Sequence, residues 1–328
     1  MGTRPVISVL TANPRLVSAN FLAELEALAE VRNHPDSAGK PPEDVAAVLS
    51  GSDIALTGWG SPLLPSPRPG WRLRYICHMT GEMKRVIPLE YIRAGIKVTN
   101  WGESMAFATA EGALALLLCV LRRIPELDMK ARTSARPEFT PNPVQSLYGA
   151  CVGIYGLSSV GLRTAELLRP FRPVLSFYDP TITEPPPDIR RCGSLKELFA
   201  ENEIITIHAG LNEATRHSVT EAELMLMKPG GILVNTARGA IVREGDLAAV
   251  LARKRIHAAI DVIEDESDWR QSPLMGAPNV IFSGHRISRT GRTGVRVRQE
   301  TALMNIRAFL EGRPLRYEIT PERYSLMT

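Results

Sequence analysis

Short apolar runs alternate along this chain with longer segments in which apolar residues recur every three or four positions. Runs bounded by glycine, proline or polar residues predict buried strands, and the helical recurrence predicts amphipathic helices. Strands are expected at 6–10, 54–57, 73–77, 96–99, 151–155, 203–208, 232–235, 258–262 and 280–283, and helices at 21–29, 43–49, 88–94, 105–123, 195–199, 220–227, 244–253 and 299–310. This alternation predicts parallel sheets and therefore an α/β fold.

The most regular of these units spans residues 149–179 and reads GACVGIYGLSSVGLRTAELLRPFRPVLSFYD. An apolar run meets a turn that holds Gly156 and Gly161, a helical segment follows, and a second apolar run leads to Asp179. This order is typical of a dinucleotide-binding unit, whose glycines allow a tight turn and whose helix N-terminus binds a pyrophosphate. Ser158 replaces the second glycine of the pattern, so its hydroxyl is a candidate donor to a phosphate. The alternative is a purely structural strand-to-helix turn.

Asp179 lies about 20 residues beyond the glycine turn, where such units carry an acidic residue. A carboxylate there accepts hydrogen bonds from the adenosine ribose and repels a 2′-phosphate, which favours NAD over NADP. The alternative is a strand-terminal aspartate that caps a turn.

Composition narrows the class of protein. The 328 residues suggest two domains, and 44% hydrophobic with 23% charged residues is typical of a globular protein. The net charge of +4 gives no argument for a nucleic-acid partner, and no apolar segment reaches the ~20 residues of a membrane span. The four cysteines lack metal-ligand spacing, so no metal is expected, and the apolar stretch near the N-terminus is too short for a signal peptide. We therefore expect a cytoplasmic protein.

Three polar residues follow predicted strands in the C-terminal half, namely Arg238, Glu266 and His285. An arginine offers a planar fork for a carboxylate, and a histidine exchanges protons near neutral pH. A neighbouring glutamate would fix the orientation of the ring. Each residue alone has an ordinary structural explanation, but the three together favour a catalytic site at the carboxyl ends of the strands.

The stretch from ATRHSVTEAELMLMKPGGILVNTARGAIVREGD to IDVIEDE, continued through PLMGAPNV to Gly284-His285, resembles the D-isomer-specific 2-hydroxyacid dehydrogenases. The resemblance covers essentially the whole chain and is strongest over residues 149–285. It implies two doubly wound parallel-sheet domains: a Rossmann NAD-binding domain, residues 105–289, inserted into a smaller flavodoxin-like substrate domain, residues 1–104 plus 290–328. It also implies a homodimer.

By this resemblance Arg238 binds the carboxylate and carbonyl of the substrate, Glu266 pairs with the catalytic histidine, and His285 is that histidine. Thr80 and Gly81 fall where the substrate loop donates backbone N–H groups to the carboxylate. The predicted cofactor-binding residues are Gly156, Ser158, Ser159, Val160, Gly161, Asp179, His208, Ala209, Thr236, Ala237, Arg238, Asp261 and His285. The expected partner is a small anionic 2-oxo or 2-hydroxy acid.

The implied reaction is hydride transfer between a nicotinamide and C2 of the acid. One alternative of another class is a non-catalytic, NAD(H)-sensing module resembling the C-terminal-binding corepressors. Formate dehydrogenases are disfavoured, because they place glutamine where this chain has Glu266, and phosphonate dehydrogenases remain open. The basic stretch after His285 leaves two interpretations. Arg286, Arg289 or Arg292 binds a second anionic group of the substrate, or residues 286–298 form a solvated or subunit-facing loop.

Overall fold

A computed structural model describes residues 4–11, 13, 16–134, 145–254 and 256–326. The chain divides into two compact units, one formed by Met1–Met105 with Thr290–Thr328 and the other by Ala106–Arg289. Met105 therefore groups with the first unit, whereas the sequence analysis placed it in the second. Each unit is built around its own parallel sheet.

The first unit contains a five-stranded sheet in the order β2-β1-β3-β4-β5. Its strands are β1 (Val6–Val9), β2 (Glu30–Asn33), β3 (Ile54–Thr57), β4 (Tyr75–His78) and β5 (Lys97–Thr99). The helices are α1 (Ala19–Leu28), α2 (Pro42–Ser50) and α3 (Glu90–Arg93), joined near the C-terminus by α10 (Gly291–Leu310) and α11 (Pro321–Leu326). All strand pairs are parallel, which gives the flavodoxin-like doubly wound order.

The second unit contains seven strands in the order β12-β11-β10-β9-β6-β7-β8, again all parallel. These are β6 (Cys151–Tyr155), β7 (Val174–Tyr178), β8 (Arg190–Arg191), β9 (Ile204–Ile207), β10 (Ile232–Asn235), β11 (His257–Ile260) and β12 (Val280–Phe282). The helices are α4 (Ala106–Leu121), α5 (Ile124–Thr133), α6 (Ser159–Leu168), α7 (Leu195–Glu201), α8 (Glu221–Leu224) and α9 (Glu244–Lys254). The chain order reverses between β6 and β9, which makes this the ligand-binding switch point of a Rossmann sheet.

The central strands are apolar because both sheet faces are covered. Every residue of β1, β3, β4, β9 and β10 is buried. Continuous burial explains why these strands read as apolar runs rather than as alternating patterns. The predicted fold class of two parallel-sheet α/β domains is thus confirmed.

The structure corrects the sequence analysis at the edges of the sheets and at three helices. Strands β2 and β8 were not predicted, since they are short edge strands with mostly charged, exposed residues. Helices α5 and α11 were also missed, and α5 buries none of its side chains. Helix α10 begins at Gly291 rather than at Gln299, so residues 291–298 are helical and not a loop. Two glycines and two valines give this turn a low intrinsic helix propensity. Packing of buried Gly294 and Arg298 overrides that propensity.

Among the described helices, none combines the length and the apolar character needed to cross a membrane.

Candidate active site

The carboxyl ends of β10, β11 and β12 lie side by side. Asn235 is paired with Ile260, and Ile260 with Phe282, so the three strands end in register. Each strand is followed within a few residues by a predicted site residue: Arg238, Asp261 and His285. Parallel pairing therefore places the three segments at one edge of the second unit's sheet.

Gly239 lets the segment after β10 approach the segment after β11. A Cβ at this position would lie 1.9 Å from the backbone carbonyl carbon of Ile263. No side chain fits there, so the turn that carries Arg238 packs directly on the backbone just before Glu264. The requirement for glycine in NTARG is thus a packing requirement between two neighbouring loops.

Glu266 and His285 form an ion-pair geometry across two of these loops. The Oε2 atom of Glu266 lies 2.7 Å from Nδ1 of His285, and both side chains are partly exposed, at 37% and 47%. With Nδ1 engaged by the carboxylate, Nε2 is the ring nitrogen left to meet a ligand. This arrangement has the elements of a general acid–base pair: a proton-carrying ring and a carboxylate that orients it.

Asp261 holds the backbone around His285. The buried Oδ1 atom of this carboxylate accepts hydrogen bonds from the Ser283 hydroxyl at 2.6 Å, from the Arg286 N–H at 2.9 Å and from the Ile287 N–H at 3.2 Å. His285 itself adopts a left-handed backbone conformation with φ of 54°. Residues other than glycine rarely adopt this backbone conformation unless neighbouring groups stabilise it. Asp261 supplies part of that support, so in this structure it positions the His285 loop.

Arg238 lies at the start of the turn that follows β10 and is half-buried. Its Nη1 atom donates to the Ala237 carbonyl oxygen at 2.8 Å, and the Asn235 amide donates to the Arg238 carbonyl oxygen at 3.0 Å. The Asn235 side chain also accepts from the Ala237 N–H at 3.1 Å. Asn235 thus shapes the turn that presents the guanidinium.

The glycine turn of residues 156–161 lies at the carboxyl end of β6. Gly156 has φ of 89°, and a Cβ there would lie 2.4 Å from the Ala209 backbone nitrogen. A Cβ on Gly161 would lie 2.2 Å from the Gly156 carbonyl oxygen. Both glycines are therefore needed, one for the turn and its neighbouring loop and the other for close packing of α6. Ser159 and Val160 form the first turn of α6.

Ser158 is the N-cap of α6. Its hydroxyl accepts a hydrogen bond from the Gly161 N–H at 3.4 Å and donates one to the His208 carbonyl oxygen at 2.9 Å. The hydroxyl proton is thus directed to His208. Donation to a phosphate, which the sequence analysis suggested, would require the hydroxyl to leave this carbonyl and stays a prediction.

Asp179 directly follows β7 and contacts the glycine turn. One carboxylate oxygen accepts from the Leu157 N–H at 2.9 Å, and the other accepts from the N–H and hydroxyl of Thr181 at 2.9 and 2.6 Å. Asp179 therefore caps the turn that follows it, which is the structural role that the sequence analysis gave as the alternative to ribose binding. The same contacts hold its carboxylate beside the start of the turn, which is the place that the ribose hypothesis requires.

The second unit contains two buried polar atoms that lack a partner among the described residues: Nδ1 of His208 and Oγ1 of Thr236. Both follow the ends of neighbouring strands, β9 and β10, and Ala209 and Ala237 follow them in turn. Burial also lowers the pKa of His208 to about 3, so the ring is neutral. Unpaired buried polar atoms at the carboxyl ends of parallel strands, with His208 beside the switch point, suit a ligand with polar groups of its own. These residues therefore fit a nicotinamide dinucleotide.

His78 organises the predicted substrate loop of the first unit, a role that the sequence analysis did not assign. Its Nδ1 atom lies 2.9 Å from the Thr57 hydroxyl, and its Nε2 atom lies 2.6 Å from the Thr80 hydroxyl and 2.8 Å from the Glu82 carbonyl oxygen. Thr80 is fully buried. Its side chain thus holds the loop, which leaves backbone groups of Thr80 and Gly81 as the candidates for ligand binding. The available signal was a polar residue at the end of an apolar strand.

The free energy of unfolding is expected to fall as the pH is lowered from about 6.5 towards 4. Burial lowers the pKa of His78 to about 4 and that of His208 to about 3, whereas an unfolded histidine binds its proton below about 6.5. The unfolded chain therefore binds more protons in this window, and each histidine adds a slope approaching about 1.4 kcal/mol per pH unit. Urea unfolding at stepped pH measures it. His208→Asn should reduce the slope, and a flat wild-type profile between pH 6.5 and 4.5 would contradict the assignment.

Comparisons with known proteins agree with this geometry. The family model "D-isomer specific 2-hydroxyacid dehydrogenase, NAD binding domain" matches residues 114–286. A glyoxylate reductase of Aeropyrum pernix is 34% identical over 256 residues, which are 74% of this chain and 75% of the relative. A glyoxylate/hydroxypyruvate reductase of Arabidopsis thaliana is 32% identical over 68% of this chain and 69% of its own length.

Among solved structures, an NADPH-dependent glyoxylate/hydroxypyruvate reductase of Sinorhizobium meliloti superimposes with a TM-score of 0.75 at 22% identity. The match covers 99% of this chain and 98% of that one, which shows a shared fold. The extent of the family match and the identity to the Aeropyrum relative exceed what fold similarity alone would give. The chain belongs to the D-isomer-specific 2-hydroxyacid dehydrogenases, oxidoreductases that transfer a hydride between a nicotinamide cofactor and C2 of a 2-hydroxy or 2-oxo acid.

Proposed function

We propose that this protein is an NAD-dependent 2-oxo acid reductase that forms the D-2-hydroxy acid. The observation that carries the proposal is the Glu266–His285 pair, 2.7 Å apart, at the sheet edge that also carries Arg238. Glyoxylate and hydroxypyruvate, which relatives are named for reducing, are small 2-oxo acids with one carboxylate. They are the first substrates to try.

His285 is the proposed proton donor. Because Nδ1 faces Glu266, the proton given to the substrate oxygen leaves from Nε2. Glu266 fixes the ring orientation and stabilises the protonated imidazole. In the opposite direction the same nitrogen takes the proton from the hydroxyl. A positioned acid of this kind contributes roughly 10²–10⁴-fold to the rate.

Arg238 is the proposed partner of the substrate carboxylate and carbonyl. Its planar, permanently charged fork suits two parallel hydrogen bonds to a carboxylate. It also stabilises negative charge that develops on the carbonyl oxygen. The Thr80 and Gly81 backbone N–H groups are proposed to bind the carboxylate as well.

The proposed cofactor-binding residues are those predicted from the sequence. The α6 N-terminus beside Gly156 and Gly161 would hold the pyrophosphate, and Asp179 the ribose. His208, Ala209, Thr236, Ala237 and Asp261 would line the nicotinamide side. When bound, NAD supplies or accepts the hydride, and the protein orients it against C2.

A non-catalytic binding module gains no support from these findings, because the relatives named above are all reductases. From the family resemblance we also propose a cytoplasmic homodimer. Light scattering of the purified protein should then give twice the mass of one chain.

The test is the initial rate of NADH and of NADPH oxidation with a panel of 2-oxo acids. NADH should be preferred, since the Asp179 carboxylate repels a 2′-phosphate. Asp179→Asn keeps the size of the side chain but removes its charge, and should shrink that preference about 5- to 30-fold by relieving a repulsion of ~1–2 kcal/mol near the surface. Asp188→Asn, which breaks an exposed pair with Arg169, is the control. No turnover with any acid, despite measurable NADH binding, would instead indicate a sensing module.

A further inference from the structure

Arg298 is an unusual residue of the first unit, because the Nε–H of its guanidinium is buried and has no polar partner among the described residues. It lies on α10, in the segment that the sequence suggested was a loop, and only 9% of the residue is exposed. Its Nε atom has no hydrogen-bond partner, and among the described residues the side chain makes no ion pair. By contrast Arg286, Arg289 and Arg292, the sequence-based candidates for anion binding, are exposed.

Two indole rings hold the guanidinium in place. Its Cζ atom lies 5.0 Å from the ring centroid of Trp59 and 5.2 Å from that of Trp101. The two rings are nearly perpendicular and their centroids are only 5.9 Å apart. If the two rings lay on opposite sides of the guanidinium, their centroids would be about as far apart as the sum of the two Cζ–centroid distances. The centroids are much closer than that, so both rings lie on the same side of the guanidinium. The opposite side of the charged group is therefore not covered by these aromatic rings.

Trp101 also packs against the predicted substrate loop. A Cβ on Gly81 would lie 2.5 Å from Nε1 of Trp101, and the Asn100 amide donates to the Gly81 carbonyl oxygen at 3.1 Å. A narrow crevice beside Arg298 and Trp101 is lined by Cys77, His78, Met79, Asn100, Trp101, Arg298, Thr301, Ala302 and Asn305. Trp101 thus contacts both the guanidinium of Arg298 and the backbone at Gly81.

A buried Nε–H without a partner leaves Arg298 with an unsatisfied hydrogen-bond donor. Burial lowers the pKa of Arg298, which shows the cost of keeping its charge away from water. Contacts with aromatic faces offset part of this cost but satisfy none of the N–H groups. A ligand with anionic oxygens would satisfy them, and a planar fork binds such oxygens two at a time.

We propose that Arg298 binds a second anionic group of the substrate, distal to the carboxylate beside the reacting carbonyl, so that the enzyme selects doubly anionic 2-oxo acids. The proposal rests on the proposed function, since it names the substrate class of the same reaction. The carboxylate next to the carbonyl is already assigned to Arg238 and the loop at Gly81. Arg298 is linked to that loop through Trp101, so it is the proposed partner of a charged group further along the substrate chain.

The experiment compares matched pairs of acids, with and without the second charge. Wild-type kcat/KM should be higher for oxaloacetate than for 2-oxobutyrate, and for 2-oxoglutarate than for 2-oxovalerate. Arg298→Met removes the charge but keeps a long side chain. It should raise KM for the dicarboxylates at least tenfold with little change in kcat, and alter KM for the monocarboxylates less than threefold. Arg296→Met, an exposed arginine on the same helix, should leave both unchanged.

A further variant and a further pair of substrates identify the anion and distinguish a charge effect from a packing effect. Arg298→Lys keeps the charge without the fork and should give intermediate KM values, which a purely packing role would not. Phosphorylated hydroxypyruvate, compared with hydroxypyruvate, tests phosphate as the second group. An Arg298→Met effect confined to the phosphorylated acid would support the proposal with phosphate in place of carboxylate. An equal loss for singly and doubly charged acids, or no wild-type preference, would overturn it.

A binding measurement separates this proposal from the proposed function. Trp59 and Trp101 contribute to the intrinsic fluorescence, so succinate or malonate bound at Arg298 should change it, whereas propionate should not. Arg298→Met should abolish that change. If wild-type protein reduced no 2-oxo acid but showed this response, the proposed function would fail and the anion site would stand. Without any response to dicarboxylates the site is wrong.

Discussion

Replacing His285 by alanine is expected to lower kcat by about 10²–10⁴-fold while NADH still binds with nearly unchanged affinity. The imidazole Nε2 is the proposed source of the proton for the substrate oxygen, and no other group in the proposed site takes over that task. Stopped-flow or steady-state NADH oxidation gives kcat, and quenching of protein fluorescence by NADH gives the affinity. The two readouts together separate a lost proton donor from a damaged cofactor site.

A second histidine–carboxylate pair in the same unit provides the control. Nε2 of His217 lies 2.9 Å from Oε1 of Glu264, so His217→Ala removes a comparable pair without a proposed role in proton transfer. It should keep kcat within about threefold. Glu266→Gln should give an intermediate loss and change the pH dependence of kcat, since the amide keeps a hydrogen bond but not the charge. If His285→Ala kept wild-type kcat with an active substrate, the assigned roles would be wrong.

Gly156→Ala is expected to destabilise the second unit by about 2–5 kcal/mol and to abolish cofactor binding. A left-handed backbone costs an alanine ~1–2 kcal/mol. Crowding a packed region adds ~1–3 kcal/mol. Here the crowding partner is the Ala209 backbone nitrogen, only 2.4 Å from the new methyl group, so no side-chain rotation relieves it. Urea unfolding and NADH titration measure the two effects.

Gly149→Ala is the matched control, because it lies at the other end of β6 and also has a positive φ, 73°. A methyl group there meets no atom within 4 Å. The control should therefore cost only about 1 kcal/mol, the backbone part of the effect. It should leave NADH binding unchanged. If both substitutions lowered the free energy of unfolding equally, the close approach of the Ala209 loop would contribute nothing to the effect of Gly156→Ala.

The sequence predicted the buried centre of each sheet better than its edges. Strands such as β3 and β10 are covered on both faces, so their apolar runs signal burial directly. Edge strand β2 reads Glu-Val-Arg-Asn and has no such run. Its existence depends on backbone pairing with β1, which leaves little trace in the pattern of side chains.

Helix α10 shows the same limit in another form. Its last turns carry apolar residues at helical spacing and were predicted, whereas its first two turns carry glycines, valines and arginines. Packing of Gly294 against its surroundings fixes these turns as helix, since a Cβ there would lie 3.3 Å from the Met105 side chain and closer still to Thr290. Such long-range contacts cannot be read from a short window of sequence. Arg298 was for this reason grouped with a loop.

Candidate site residues could be named from the sequence, but the contacts that support them could not. The positions after strands pointed to Arg238, Glu266 and His285 as one group, and the structure places Glu266 against His285. The supporting contacts were not foreseen. His78 holds the Thr80 loop through hydrogen bonds to Thr80 and Glu82 and is itself held by Thr57, and Asp261 holds the backbone beyond His285. These depend on exact distances between loops that no residue pattern encodes.

The hydrogen bond from Ser158 to the His208 carbonyl joins two loops that would otherwise contact a ligand independently. The loop after β6 is proposed to meet the pyrophosphate, and the loop after β9 the nicotinamide side. With the two tied together before any ligand arrives, immobilising one end of the dinucleotide also restrains the other. Less conformational entropy is then lost on binding than if each loop were ordered separately. A departure from the glycine pattern thus acts as preorganisation, built into the protein itself.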